Sequence, residues 1–117
     1  MLKEYKTGNK DTNWRPKGEL GEYIIVFTNG PKMWCKGKDL HRLDGPAIEW
    51  SNGRKEYYIN GKQHREDGPA IINNFNLIWY LNGICHREDG PAIEYHDGTK
   101  KWYKYGKRHR EDGPTVS

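Results

Sequence analysis

The sequence predicts an all-β protein, an elongated single-layer antiparallel sheet built from tandem β-hairpins. A heptad occurs four times in the 117 residues, as HRLDGPA at His41, HREDGPA at His64 and His86, and HREDGPT at His109. These copies are 22 or 23 residues apart, a period typical of arrays of small supersecondary units. Asn-Gly or Asp-Gly pairs and pairs of adjacent aromatic residues recur between the heptads, which indicates hairpin turns and strands.

Each unit is predicted to begin with a strand and to turn twice. Gly45-Pro46 opens the first strand, because proline is tolerated at the first position of a strand. Asn52-Gly53 predicts a type I′ turn, in which both central residues have positive φ, and Asn60-Gly61 predicts a second turn. The segment KQHRED then leads to the next Gly-Pro pair, so that the hairpins follow one another along the molecule.

The first turn also predicts the register of the strands. Counting outward from Asn52-Gly53 places Ile48 opposite Tyr57, and the same count places Ile93 opposite Trp102 in the last full unit. Two aromatic rows follow, because successive side chains of a strand point to opposite faces. One row consists of Tyr57, Trp79 and Trp102, and the other, beside small alanine side chains, consists of Tyr58, Tyr80 and Tyr103.

The ends of the array differ from its middle. Residues 1–23 are predicted to form a divergent amino-terminal cap, and residues 24–117 to form about four hairpin repeats in one domain. In the segment INNFNLIWY one residue is missing and Phe75 replaces the turn glycine, so we expect this hairpin to close differently.

Composition favours a thin structure held together by large rings. Hydrophobic residues make up 33% of the chain and the mean hydropathy is −1.14, but aromatic residues reach 13%. Two cysteines are too few for a disulfide scaffold, and the amino terminus has no apolar signal segment. We therefore expect a cytoplasmic protein with two free thiols. The net charge of +4 arises mainly in residues 1–40, since residues 41–117 hold twelve basic and eleven acidic side chains.

The group His-Arg-Glu-Asp has the residue types of an active site, but its repetition argues against one. Equivalent positions of successive units are expected to lie roughly 10 Å apart, two strand spacings. Histidines at that distance cannot share one metal ion, whose ligands lie about 2.1 Å from it. No serine or cysteine stands at a fixed offset from the four copies. The sequence therefore predicts no catalysis and no cofactor, and an enzyme or metal site is the least favoured alternative.

The heptads are instead predicted to be structural joints between units. An aspartate before glycine can accept a backbone N–H in a bend, and the glycine supplies the φ that the bend needs. A neutral histidine can bridge backbone groups of two units through its two nitrogens. The predicted joint residues are His41, Asp44, His64, Asp67, His86, Asp89, His109 and Asp112.

The repeat resembles that of a known family. Tandem Asn-Gly hairpins with aromatic pairs are similar to MORN-type repeats over about residues 24–117. The pattern Y-x-N-G-K-x-H-R-E-D-G-P-A resembles variant repeats encoded by bacteriophages and large DNA viruses. The resemblance implies an elongated single-layer sheet, an adaptor that binds proteins or lipids, and no enzymatic activity. A net basic face or amphipathic helix that would favour a membrane is not visible in the sequence.

The favoured function is non-catalytic binding of a protein partner. If the viral resemblance holds, the chain would inhibit or redirect a host factor, such as a defence system, in the host cytoplasm. Tyrosine and arginine suit interfaces because they combine contact area with hydrogen bonding. The candidate contact residues are Tyr58, Tyr80, Tyr103, Trp14, Arg65, Arg87, Lys104, Lys107, Arg108 and Arg110. Dimerisation through an edge strand is left open.

Nucleic acid is the alternative partner. A basic cluster with neighbouring tyrosines, which includes Lys104, Lys107, Arg108 and Arg110, favours it. The carboxylates of each heptad oppose it, because they would repel phosphates.

Overall fold

The computed structural model describes residues 2–108, and over this range the protein is all-β with no helix. The predicted residues His109, Arg110 and Asp112 lie outside the described range. The strands are β1 (Lys3–Thr7), β2 (Glu22–Phe27), β3 (Lys32–Lys36), β4 (Asp39–Leu40), β5 (Ile48–Glu49), β6 (Lys55–Glu56), β7 (Tyr58–Ile59), β8 (Lys62–Gln63), β9 (Ile71–Ile72), β10 (Asn76–Ile78), β11 (Tyr80–Leu81), β12 (Ile84–Cys85), β13 (Ile93–Tyr95), β14 (Lys100–Lys101), β15 (Tyr103–Lys104) and β16 (Lys107–Arg108).

A ten-stranded main sheet runs the length of the described chain. Its order is β1-β2-β3-β5-β6-β9-β10-β13-β14, and β4 pairs with β3. Strands β1 and β2 are parallel, whereas all other pairs of this sheet are antiparallel. The molecule is elongated, with extents of 51 × 25 × 22 Å. The predicted all-β class and the mostly antiparallel hairpin arrangement are confirmed.

A second row of small hairpins accompanies the main sheet. It consists of β7–β8, β11–β12 and β15–β16, each a separate two-stranded sheet. These hairpins alternate along the chain with the main-sheet hairpins β5–β6, β9–β10 and β13–β14. One unit of 22 or 23 residues therefore contributes two hairpins, one to each row.

The turns of the small hairpins have the geometry that was predicted for Asn52-Gly53. Asn60 and Gly61 have φ of 50° and 80°, and Asn82 and Gly83 have 49° and 80°. Both central residues therefore occupy the left-handed region, as a type I′ turn requires. Tyr105-Gly106 adopts the same conformation, with 51° and 80°.

The main-sheet turns differ from the prediction. At Asn52-Gly53 only the glycine has positive φ, at 95°. The backbone N–H of Trp50 donates to the carbonyl of Arg54 at 3.0 Å, which encloses three loop residues rather than two. This is the three-residue loop in which a glycine in the left-handed region forms a bulge.

The predicted register is consequently wrong by one residue. Ile48 pairs with Glu56 rather than with Tyr57, and Ile93 pairs with Lys101 rather than with Trp102. A shift of one residue moves each side chain of a strand to the opposite face. The face assignment is therefore reversed, because Tyr58 packs against the core cluster that contains Ile48, whereas Tyr57 lies on the alanine side.

The core lies at the amino-terminal end of the main sheet. It consists of the buried side chains Tyr23, Ile25, Phe27, Met33, Cys35 and Ile48. Trp14 and Tyr5 of the predicted cap pack against this cluster, together with Tyr58. Strand β2 begins at Glu22, one residue before the predicted end of the cap.

Candidate partner-binding site

The face opposite the core carries alternating aromatic and alanine positions, and we call it the heptad face. Trp34, Tyr57 and Trp79 supply its rings, and the alanines between them are Ala47, Ala70 and Ala92. All three alanines are fully buried. The backbone links these positions directly, since Trp34 N–H donates to Ala47 and Trp79 N–H donates to Ala92, both at 2.8 Å.

Each described heptad places its arginine on one of these rings. The guanidinium carbon lies 3.8 Å from the ring centre for Arg42 on Trp34 and 4.1 Å for Arg65 on Tyr57. The distance for Arg87 on Trp79 is 4.0 Å. Such cation–π contacts contribute roughly 0.5–2 kcal/mol, more when they are shielded from water.

The same arginines are fixed by hydrogen bonds within their own heptads. Arg65 Nε donates to Asp67 at 3.1 Å, and its Nη1 donates to the carbonyl of Pro69 at 3.1 Å. Arg42 and Arg87 make the equivalent bonds. Arg87 Nη1 also donates to Glu94 at 2.9 Å. The predicted contact residues Arg65 and Arg87 are therefore held against the sheet by their own chain.

The glycine of each heptad is explained by the close approach of the arginine. Gly45, Gly68 and Gly90 do not have positive φ, so a left-handed conformation is not the reason for glycine at these positions. A Cβ atom at Gly68 would lie 2.8 Å from Arg65 Cζ, and one at Gly45 would lie 2.9 Å from Arg42 Cζ. Only a residue without a side chain leaves room for the stacked guanidinium.

The histidines connect each unit to the next. Nδ1 of His41 accepts the backbone N–H of Asn60 at 2.9 Å, and Nδ1 of His64 accepts that of Asn82 at 2.9 Å. His86 accepts the N–H of Tyr105 in the same way, at 2.8 Å. An imidazole that accepts at Nδ1 carries its proton at Nε2 when it is neutral.

The other histidine nitrogen faces a carboxylate in two of the heptads. Nε2 lies 3.3 Å from Glu66 Oε2 in His64 and 2.7 Å from Glu88 Oε2 in His86. Leu43 occupies the glutamate position after His41. The sequence predicted bridges between two backbone groups, whereas the structure shows one backbone group and one carboxylate. Within residues 2–108, no three His, Cys, Asp or Glu side chains are grouped so that they could hold a metal ion.

Three hydrogen bonds recur at every described joint. The first is the histidine bond described above. In the second, the backbone N–H of the turn glycine donates to a carbonyl of the preceding unit, as Gly83 does to the Gln63 carbonyl at 2.7 Å. The backbone N–H of the heptad arginine donates to a carbonyl of the next unit, as that of Arg65 does to the Tyr80 carbonyl at 3.1 Å. The same three bonds join the units at His41 and at His86.

Successive heptads enclose equivalent grooves, which we call the heptad grooves. The first has a volume of about 540 Å³ and lies between Arg42–Gly45 and His64–Asp67, with Tyr57 and Ile59 between them. The second has a volume of about 560 Å³ and lies between Arg65–Pro69 and His86–Asp89, with Trp79 and Leu81 in the equivalent places. An aromatic and an aliphatic side chain thus accompany charged walls in both grooves.

The exposed charges of the groove walls are acidic. The side chains of Asp44 and Asp67 are each 87% exposed and that of Asp89 is 86% exposed, whereas the arginine side chains are only 22–24% exposed. Glu66 and Glu88 add further exposed carboxylates, at 81% and 63%. The stacked arginines withdraw their charge from the surface, and the aspartates present theirs to solvent.

The predicted tyrosine row is partly buried. Tyr58 contacts the core, and its hydroxyl donates to Glu56 at 3.0 Å. Burial raises the pKa of Tyr58 to about 12, and the nearby Glu56 carboxylate acts in the same direction. Burial also raises the pKa of Tyr80. Tyr103 is half-buried as well. A docking role for this row stays a prediction.

The predicted basic cluster lies at the carboxyl-terminal end of the described range. Lys107 and Arg108 are exposed in β16. Lys104 lies 3.8 Å from Glu88 and is engaged with the neighbouring unit. Trp14, another predicted contact residue, packs against the core cluster instead of standing free.

The sequence interpretation missed two groove residues, Ile59 and Leu81. Each directly precedes the asparagine of a small-hairpin turn, so their equivalence is visible in the sequence. Their position in the grooves depends on the second row of hairpins. The sequence analysis did not distinguish this row from the main sheet.

Comparisons with protein-family models, with curated proteins and with solved structures give no match to this chain. None of the described residues form a helix long and apolar enough to cross a membrane.

Proposed function

We propose that this chain is a non-catalytic, MORN-like repeat module that binds a protein partner through the heptad grooves. The observation that carries the proposal is the repetition of one groove, of about 540 and 560 Å³, at the same place in successive units. A series of equivalent grooves suits a partner that lies along the array, as in other repeat proteins with extended binding surfaces.

The chemistry of the heptads supports binding rather than reaction. The histidines accept backbone N–H groups, and the arginines are stacked and hydrogen bonded within their own units. The exposed aspartates and the aliphatic groove residues take no part in these contacts and are left to meet another molecule. The resemblance to phage and viral repeats extends the proposal to a small accessory protein that inhibits or redirects a host factor.

A displayed library of random peptides tests the proposal. We expect the immobilised chain to enrich peptides whose binding is lost when Ile59→Ser and Leu81→Ser are combined, because these changes remove the aliphatic side chains of both grooves. The matched control is Phe75→Ser, which removes a 76% exposed apolar side chain outside the grooves. Circular dichroism checks that all variants are folded. The proposal would be overturned if no peptides are enriched, or if the double variant binds the enriched peptides as tightly as the parent does.

Nucleic acid is the second candidate, favoured by the exposed Lys107 and Arg108 of β16 next to Tyr103 and Tyr105. A salt titration with labelled single-stranded DNA separates the two candidates. Binding through phosphates weakens steeply and log-linearly with salt concentration. Steeply salt-dependent binding of this DNA that is unchanged by Ile59→Ser and Leu81→Ser would favour the nucleic-acid candidate.

A further inference from the structure

We infer that the partner segment is an extended polyproline II-type peptide that carries Lys or Arg at every third residue. This inference rests on the proposed function, since it specifies the ligand of the same heptad grooves. It depends on the spacing of the grooves, the sign of their exposed charge and the nature of their apolar side chains.

The spacing of the units matches one turn of a polyproline II helix. Each unit adds two strands to the main sheet, as the order β5-β6-β9-β10-β13-β14 shows. Equivalent groove positions are therefore roughly 10 Å apart, at about 4.8 Å per strand. A polyproline II helix has three residues per turn and rises about 3.1 Å per residue, so every third side chain returns to the same side after roughly 9 Å. Consecutive grooves can thus receive residues that are three apart.

An extended β-strand fits the spacing less well. Its side chains return to the same face after two residues, about 6.8 Å, and then only after four. Neither value matches a separation of roughly 10 Å. If one groove received a side chain of such a peptide, no side chain of that face would lie at the next groove.

Charge selects basic side chains for the periodic positions. Each HRED heptad holds one Arg, one Glu and one Asp, so its net charge is −1 when the histidine is neutral. The arginine lies on an aromatic ring with about a fifth of its side chain exposed, whereas Asp67 and Asp89 are almost fully exposed. A Lys or Arg of a ligand can pair with these carboxylates, and an acidic peptide or a phosphate chain would be repelled by them.

The apolar side chains of the grooves suit the residues between the basic positions. Ile59 and Leu81 line the two grooves beside Tyr57 and Trp79, whose rings carry the stacked guanidinium groups of Arg65 and Arg87. Proline-rich segments characteristically dock on aromatic-lined grooves, because their conformation is already ordered and little entropy is lost on binding.

A synthetic peptide of four Pro-Pro-Arg triplets tests the inference by fluorescence anisotropy. Two control peptides have the same length: one replaces Arg by Glu, and one keeps the composition but places its arginines consecutively. We expect binding of the Pro-Pro-Arg peptide, no binding of the Glu peptide, and binding about fivefold or more weaker for the consecutive one, which can fill fewer grooves. No binding of the Pro-Pro-Arg peptide, or equal binding of the consecutive peptide, would overturn the inference.

Protein variants assign the binding to the grooves. Asp67→Asn combined with Asp89→Asn removes two exposed charges but keeps an oxygen that accepts the Arg Nε hydrogen bond. We expect this variant to bind about tenfold more weakly, since two charge-assisted contacts are weakened. The matched control, Glu4→Gln with Glu22→Gln, removes two exposed carboxylates outside the grooves and should bind like the parent. Equal affinity of the two double variants would contradict the inference.

The two proposals fail in different ways. If the library yields groove-dependent peptides that lack basic residues three apart, and the Pro-Pro-Arg peptide does not bind, the inference is wrong and the proposed function stands. If no peptide depends on Ile59 and Leu81, both are wrong.

Discussion

His86 and Tyr105 belong to neighbouring units and are joined twice. The Nδ1 atom of His86 accepts the backbone N–H of Tyr105 at 2.8 Å, and the two ring centres lie 4.3 Å apart at an angle of 38°. Only 4% of His86 is exposed, although the ring of Tyr105 that covers it is 72% exposed. The histidine side chain of one unit thus binds the main chain of the turn in the next unit.

The change His86→Ala should destabilise the protein by about 1–3 kcal/mol, because it removes the acceptor of the Tyr105 N–H and a histidine side chain that is almost fully buried. Urea unfolding followed by tryptophan fluorescence measures the free energy. The comparison variant is His96→Ala, because His96 is an exposed histidine whose Nε2 lies 3.0 Å from the Asn73 carbonyl, and an exposed hydrogen bond of this kind should contribute less. If both variants lose the same free energy, the joint does not contribute as described.

The change Gly68→Ala should destabilise the protein by about 1–3 kcal/mol, since the new Cβ would lie 2.8 Å from Arg65 Cζ and displace the guanidinium from Tyr57. Gly8→Ala is the control, because a Cβ there meets nothing within 4 Å and its φ is not positive. In a protein that already carries Arg65→Ala, Gly68→Ala should lower the free energy of unfolding much less, and a double-mutant cycle measures this difference. Additive effects would show that the glycine does not serve the arginine.

Two tyrosines should make the fold sensitive to alkali. Burial raises the pKa of Tyr23 and of Tyr58 from 10.0 to about 12. A raised tyrosine pKa means that folding favours the neutral phenol. Its contribution is therefore complete below pH 10 and is lost as the pH rises toward 12.

The measurement is the free energy of unfolding between pH 9 and pH 12, a window that spans the tyrosine pKa from its ordinary value of 10.0 to about 12. Tyr23→Phe and Tyr58→Phe should each flatten the decline, because the ionisable group is absent. Tyr105→Phe, which changes an exposed tyrosine, is the comparison variant. An identical alkaline decline in all three variants would refute the assignment.

The two thiols should differ in reactivity. Cys35 is 1% exposed and Cys85 is half-buried, and burial raises the pKa of both thiols. Because the thiolate is the reactive form, labelling below the thiol pKa should be slow at Cys85 and at least about tenfold slower at Cys35. Mass spectrometry of the labelled chain, with Cys35→Ala to assign the sites, tests the order. Faster labelling of Cys35 would contradict the described core.

The fold class followed from the sequence because turns and periods are local properties. Asn60-Gly61 adopts the predicted turn, since both residues tolerate the left-handed region. Asn52-Gly53 shows the limit of this inference, because the same dipeptide also closes a three-residue loop with only its glycine left-handed. That single difference shifted the register and exchanged the two faces.

The candidate site was less accessible from sequence because it depends on contacts between units. The sequence marked Arg65 as an exposed contact residue, but its stacking on Tyr57 and its bond to Asp67 are set by the path of the chain through Gly68. The repeated Gly-Pro pair indicated a bend, whereas the reason for the glycine is the volume of a neighbouring side chain.

The three hydrogen bonds at each joint have a further consequence for how the molecule can change in size. Every bond links a unit only to its immediate neighbour, and the same donors and acceptors appear at each joint. Deleting residues 64–85, one complete unit, would place Gln63 directly before His86, and the three joint bonds could form again between the remaining units. The bonds of His96 to Asn73 and Phe75, which lie in the main-sheet turns, would be lost. Duplication or loss of whole units can therefore alter the reach of the protein while the three bonds of each joint are kept.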